Sequence, residues 1–292
     1  MSNSEYQHYY VPEQSPWPIV GAVALFFIAV GSGLTVMQQA KEGGQGHWLL
    51  FIGLAILIYM LVGWFRNVIS ESNQGLYSKQ MDKSFRQGMS WFIFSEVMFF
   101  MAFFGALFYA RMISVPWLGG ASNNAMTQEV LWPTFTAMWP LVTTPAGGTT
   151  QAMGWEGLPL INTIILLTSS VTISFAHSAM EKDQRGRLKA FLGLTILLGV
   201  SFLTLQVEEY IHAYQELGLT LQSGVYGNTF FMLTGFHGLH VTLGTILLVV
   251  VWLRILKGHL DSKQHFAFQA AAWYWHFVDV VWLGLFVFVY VL

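Results

Sequence analysis

Among its 292 residues the chain has no cysteine. That excludes a disulfide, a thiolate-held metal, an iron–sulfur cluster and the copper–thiolate sites through which electrons enter respiratory enzymes. Charge is scarce as well. Only 10% of residues are Asp, Glu, Lys or Arg, against about a quarter in an ordinary soluble domain. The net charge of −2 suggests no nucleic-acid partner. Residues 1–17 lack Lys and Arg, and so lack the basic start of a cleavable signal peptide; they read as a polar cap before the first span. All eight prolines lie in loops or at span starts, which argues against carriers that bind substrate at broken helices. The two halves show no convincing repeat.

What remains is apolar sequence, 54% of the chain. A hydrocarbon core of about 30 Å takes roughly 20 apolar residues per helix. Seven stretches qualify: Pro18–Met37, Trp48–Phe65, Met89–Ala110, Leu158–Ala179, Leu188–Leu205, Phe230–Leu253 and Phe266–Leu292. The fold class is an all-α integral membrane protein with seven transmembrane helices. A polar segment (1–17) precedes the first of them. The longest loop, 111–157, holds Trp117, Trp132, Trp139 and Trp155, residues suited to a membrane interface. Its apolar run Leu131–Val142 is too short to span and contains Pro133 and Pro140. An interfacial or re-entrant segment is the reading, not an eighth span.

Basic residues set the orientation. The loops after the second, fourth and sixth spans hold Arg66, Lys79, Lys83, Arg86, Lys182, Arg185, Arg187, Lys189, Arg254, Lys257 and Lys263. Only Lys41 and Arg111 fall on the other side. The positive-inside rule puts the N-terminus in the cytoplasm, or the matrix of an organelle, and the C-terminus outside.

Polar residues within the spans are the candidates for chemistry. His276 and Asp279 lie one turn apart on one helix face, in WYWHFVDVV (273–281). An acid there must face protein, water or a headgroup. Glu96, in the third span, reads either as a carboxyl taking part in proton movement or as a neutral acid hydrogen-bonded to another helix. Glu208 and Glu209 read as a solvated helix end. His237 and His240, with His177 and His276 elsewhere, raise haem-b ligation. The plainer account is histidines packed near Gly235 and Gly238 and bonded to carboxyls such as Glu96, Glu208 or Asp279. For Trp64, Arg66, Arg254 and Lys257 two readings stand: helix anchors snorkelling to the interface, or a phospholipid headgroup site.

The strings SPWP (15–18), WFRNVISES (64–72), FIFSEVMFFMAFFGALFY (92–109), GLPLINTIILL (157–167), GVYGNTFFMLTGFHGLHVTLGT (224–245) and QAAAWYWHFVDVVWL (269–283) resemble subunit III of the haem-copper oxidases, of the cytochrome c type. The likeness runs nearly end to end. The loop at 111–157 is longer than the mitochondrial form suggests, which points to a bacterial chain. The related quinol oxidase subunit is expected to lack the first two spans.

The resemblance implies that a two-helix unit (18–75) splays from a five-helix bundle (76–292) and leaves a cleft filled by phospholipid. Matching positions are Trp64, Arg66, Glu71, Arg254, Lys257 and His259. Glu96 matches the family's buried acid, and Gln269 stands where an acid is expected. The implied role is a non-redox accessory subunit of an aa3-type oxidase. Its partners would be subunits I and II, which hold the haem and copper. No catalytic residue, metal or cofactor is assigned to this chain; its bound molecules would be phospholipids. The expected place is a bacterial inner membrane, with the C-terminus periplasmic. The alternatives are subunit III of a quinol oxidase and a proton-coupled carrier.

Overall fold

The computed structural model describes residues 10, 11, 14–38, 46–262 and 265–292. Most of the polar N-terminal segment, and Lys41 and Lys263, lie outside the described residues. Among the described residues, seven helices are long and apolar enough to cross a membrane. They are α1 (Trp17–Gln38), α2 (Gly46–Asn73), α3 (Lys79–Tyr109), α6 (Leu158–Glu181), α7 (Arg185–Gln215), α8 (Val225–Leu256) and α9 (Phe266–Leu285). Two short helices, α4 (Val115–Leu118) and α5 (Ala125–Leu131), lie in the long loop. Several helices outrun their apolar stretches. Helix α7 begins before Leu188 and ends ten residues past Leu205, because intrahelical hydrogen bonds satisfy the backbone beyond the apolar stretch as well as within it.

The chain forms two compact units, Met1–Phe85 and Arg86–Leu292. In the first, α1 and α2 pack as an antiparallel pair apart from the other helices. Glycines set their spacing: a Cβ on Gly53 would stand 2.7 Å from the Ile28 nitrogen, and one on Gly46 2.6 Å from the Thr35 nitrogen. Gly31 meets the Leu50 backbone more closely still.

In the second unit α6 and α7 pack together, α8 lies against α7 and α9, and α9 returns to α6. The tight α6–α7 turn places Asp183 at φ 53°, a left-handed conformation that Asp tolerates. Helix α3 meets its neighbours through aromatic rings, among them Phe99 on Phe236 with centroids 5.0 Å apart and Phe100 on Phe277 at 6.1 Å. It ends in a π-helical turn, Ala110–Ser114, that leads into α4, and α9 likewise ends in a π-helical stretch, Phe286–Val291.

The run Leu131–Val142 forms no continuous helix and no eighth span. Two prolines remove donors from it, and after Leu131 the chain proceeds by turns and extended segments. Phe135 and Leu141 are buried against the bundle, and the Trp132 indole nitrogen donates to the Leu118 carbonyl at 2.6 Å.

Candidate functional site

The α3 acid has a partner from another helix. Glu96 Oε2 lies 2.8 Å from Nε2 of His240 on α8. The other imidazole nitrogen, Nδ1, is 2.6 Å from the Phe236 carbonyl oxygen, a group that can only accept. Nδ1 therefore carries a proton. The Nε2–Oε2 contact holds one more, on a carboxyl facing a neutral ring or on an imidazolium facing a carboxylate. Either arrangement is neutral overall, which is what a low-dielectric site tolerates. Phe100 packs edge-on to the His240 ring, with centroids 4.9 Å apart, and keeps the pair dry on that side.

His276 and Asp279 both turn toward α6. Ser170 Oγ is 2.8 Å from His276 Nδ1. The same serine lies close to the Asp279 carboxyl without completing a hydrogen bond. Asp279 is 4% exposed, and neither of its oxygens has a hydrogen-bond partner among the described residues. Of the three environments open to this acid, the fold supplies protein.

His237 is fully buried between Phe202 and Trp282, and its Nε2 donates to the Val278 carbonyl at 3.2 Å. With His240 engaged at both ring nitrogens, these two histidines are packing and hydrogen-bonding residues. No group of three or more His, Asp or Glu among the described residues could hold a metal ion.

Glu209 corrects the reading of a solvated helix end. Glu208 is exposed, but Glu209 is fully buried, and its Oε1 accepts from the Tyr290 hydroxyl at 2.6 Å. The signal was in the phase of α7. Leu188, Leu192, Thr195, Gly199, Phe202, Gln206, Glu209 and Ala213 alternate steps of three and four, and all are buried. Carrying that phase past the last apolar residue puts Glu209 inside.

The residues singled out for lipid divide between the units. In the first, Trp64 is 48% exposed and stacks on Phe65, Arg66 is exposed, and Glu71 accepts the Tyr77 hydroxyl at 2.7 Å. Burial and that hydrogen bond push the Tyr77 phenol above its ordinary range. In the second unit, Arg254, Lys257 and His259 end α8. Lys257 and His259 are exposed, whereas Arg254 has Nε and Nη2 buried with no hydrogen-bond partner among the described residues. Gln269, where the resemblance expects an acid, is neutral: its Oε1 accepts from Arg86 at 2.5 Å, while the guanidinium lies over the Phe266 ring.

Fold and polar groups define an all-helical, multi-pass membrane protein with no redox or metal site among its described residues. The profile of cytochrome c oxidase subunit III matches residues 7–292. Cytochrome c oxidase subunit 3 of Squalus acanthias is 41% identical over 283 residues, covering 97% of this chain and 96% of that protein. The Bos taurus protein of the same name is 42% identical over 284 residues, with the same two coverages. The chain belongs to the cytochrome c oxidase subunit III family and is a subunit of that oxidase.

Proposed function

We propose that this subunit does no redox chemistry itself. It supports oxygen reduction in an aa3-type oxidase by holding subunits I and II, their phospholipids and the proton-uptake entrance in working order. The observation that carries the reading is Arg254. A guanidinium with two buried, unpartnered nitrogens is a fixed cation in want of an anion, and a phosphate matches its fork. Lys257, on the next turn, adds a second positive charge where α8 ends. His259 follows Lys257 at the same helix end, and Trp64, Arg66 and Glu71 would offer headgroup contacts of their own on the two-helix unit. Bound lipid would keep the neighbouring catalytic subunit packed, and the cationic loops would hold the proton-collecting surface in place.

The test is made on the assembled oxidase. Arg254→Ala with Lys257→Ala should reduce the tightly bound phospholipid counted by mass spectrometry. An oxidase depleted of the subunit should keep all haem and copper and begin turnover near the normal rate. It should then take up protons more slowly at neutral and higher pH and lose activity irreversibly. Immediate loss of haem, or an identical and stable rate, would sink the proposal.

The accompanying proposal on location is a bacterial plasma membrane, N-terminus in the cytoplasm and C-terminus in the periplasm. The split of basic residues between loops supports the orientation, and the length of the 111–157 loop is what favours a bacterium. The cysteine-free background makes the orientation easy to check. A cysteine introduced at Asn123 should react with an impermeant reagent from the periplasm; labelling only from the cytoplasm would reverse the assignment.

A further inference from the structure

A cavity of about 360 Å3 opens at the end of the bundle opposite Arg254, between the last turns of α3 and α9. Its volume falls within the range of roughly 300–1,000 Å3 typical of ligand pockets. Leu107 forms the buried floor, Phe104, Phe108 and Phe288 form the walls, and Met112 and Arg111 stand at the rim.

The cavity has a structural cause. The two helices are close at Gly284, where a Cβ would come 3.1 Å from Phe104 Cζ. Beyond that point both widen into π-helical turns, Ala110–Ser114 on one and Phe286–Val291 on the other. Such turns interrupt regular packing and frequently mark functional sites. Here they leave an apolar slot where side chains would otherwise interdigitate.

The rim is not apolar. Arg111 carries a permanent charge and has no hydrogen-bond or ion-pair partner among the described residues. Six residues further on, Trp117 is 46% exposed, and an exposed tryptophan after a span suits the headgroup layer. Phe108, Met112 and Phe288 are each exposed by half or more, so the slot opens sideways toward hydrocarbon. A cation at headgroup depth above a slot open to the acyl region has the polarity of an amphiphile.

We infer that this cavity holds one acyl chain of an anionic phospholipid whose phosphate pairs with Arg111. This site is separate from the one proposed at Arg254: it shares no residue with it and sits at the other end of the helices. An uncharged or zwitterionic lipid could fill the slot but would gain less from the guanidinium. A partner protein would need to bring an acid to the same depth.

The experiment counts lipids on the intact oxidase in a mild non-ionic detergent by native mass spectrometry. Arg111→Gln should lose one anionic phospholipid relative to the unaltered complex. Met112→Trp, which narrows the slot and keeps the cation, should lose the same one, and Arg111→Lys should retain it in part. After delipidation, phosphatidylglycerol should restore the count in the unaltered complex and phosphatidylcholine should not. Arg254→Ala should leave this lipid in place. The inference fails if both Arg111→Gln and Met112→Trp keep the full complement. It fails too if phosphatidylcholine restores the count equally, or if the variants shed a protein subunit in place of a lipid.

Discussion

The α1–α2 pair and the α6–α9 bundle hold apolar helices together in a solvent that competes for every apolar contact, and they do it differently. In the pair, the fully buried positions are small: Gly21, Ala24 and Gly31 on α1, Gly46 and Gly53 on α2. Their lack of bulk lets one backbone lie against the other, and the attraction is close van der Waals packing. The large side chains, such as Phe26, Phe51 and Tyr59, face outward. The bundle buries its largest residues and ties their polar ends. Trp275 donates to Ser169 Oγ at 2.9 Å and Trp282 to Thr163 Oγ1 at 2.9 Å, while Thr172 and Thr195 join α6 to α7 at 2.8 Å. One unit is held by what its interface leaves out, the other by a few anchors. A defect in the pair is therefore steric, and a defect in the bundle is a void with orphaned donors and acceptors.

The largest effect is expected at Trp275. Its indole lies where a Cβ on Gly199 would come within 2.7 Å and one on Gly244 within 3.0 Å, so it fits notches in α7 and α8 while bonding to α6. Trp275→Ala should cost about 3–5 kcal/mol, through the cavity and the loss of the indole bond to Ser169, whose hydroxyl keeps only its bond to the Leu166 carbonyl. The measurement is thermal unfolding of the purified oxidase, with loss of this subunit as the marker. A change no larger than that of Trp273→Ala, a partly exposed neighbour on the same helix, would show that the bundle does not depend on this anchor.

A smaller loss should follow in the pair. At Gly53, even alanine places a Cβ against backbone, which cannot rotate away as a side chain can. Gly53→Ala should cost about 1–3 kcal/mol by overpacking, and Gly31→Ala a similar amount. At Gly33 nothing lies within 4 Å, so Gly33→Ala is the control and should be neutral or slightly stabilising. Equal midpoints for all three variants would remove the argument that close backbones hold this unit.

The same contrast explains what could be read before folding. The seven spans were legible because hydrocarbon thickness sets a minimum apolar length, and the face shared by His276 and Asp279 followed from helical spacing. Their neighbour Ser170 was not legible, since it comes from a helix about a hundred residues away and from a run of Ser and Thr with no feature to single it out. Pairing of Glu96 with His240 appeared only as one of several histidine–carboxylate combinations; choosing among them requires the packing of α3 on α8. Glu209 was misread for a different reason. Its neighbours Glu208, Tyr210 and His212 suggest a polar helix end, but burial follows the three-four phase of α7. The cavity beside Arg111 had no sequence signal that marks a π-helical turn.

The smallest expected effect lies at Glu96, and it tests whether the bundle's polar pairs are connectors or proton carriers. His240 Nδ1 is committed as a donor to Phe236, so the contact to Glu96 needs one proton and no net charge. A glutamine amide supplies that proton from its own NH2, with the ring neutral and Nε2 accepting. Glu96→Gln should therefore assemble, cost less than about 1 kcal/mol and leave turnover near normal. Glu96→Ala leaves a buried imidazole nitrogen without a partner and should cost about 1–3 kcal/mol. Infrared difference spectra across pH 5 to 9 separate the two placements of the proton. A protonated carboxyl band present in the unaltered oxidase and lost in the Gln variant places it on Glu96, as a neutral connector requires. A carboxylate band, or Gln and Ala variants that fail to the same degree, would mean that the bundle depends on charge at this pair and not on a hydrogen bond.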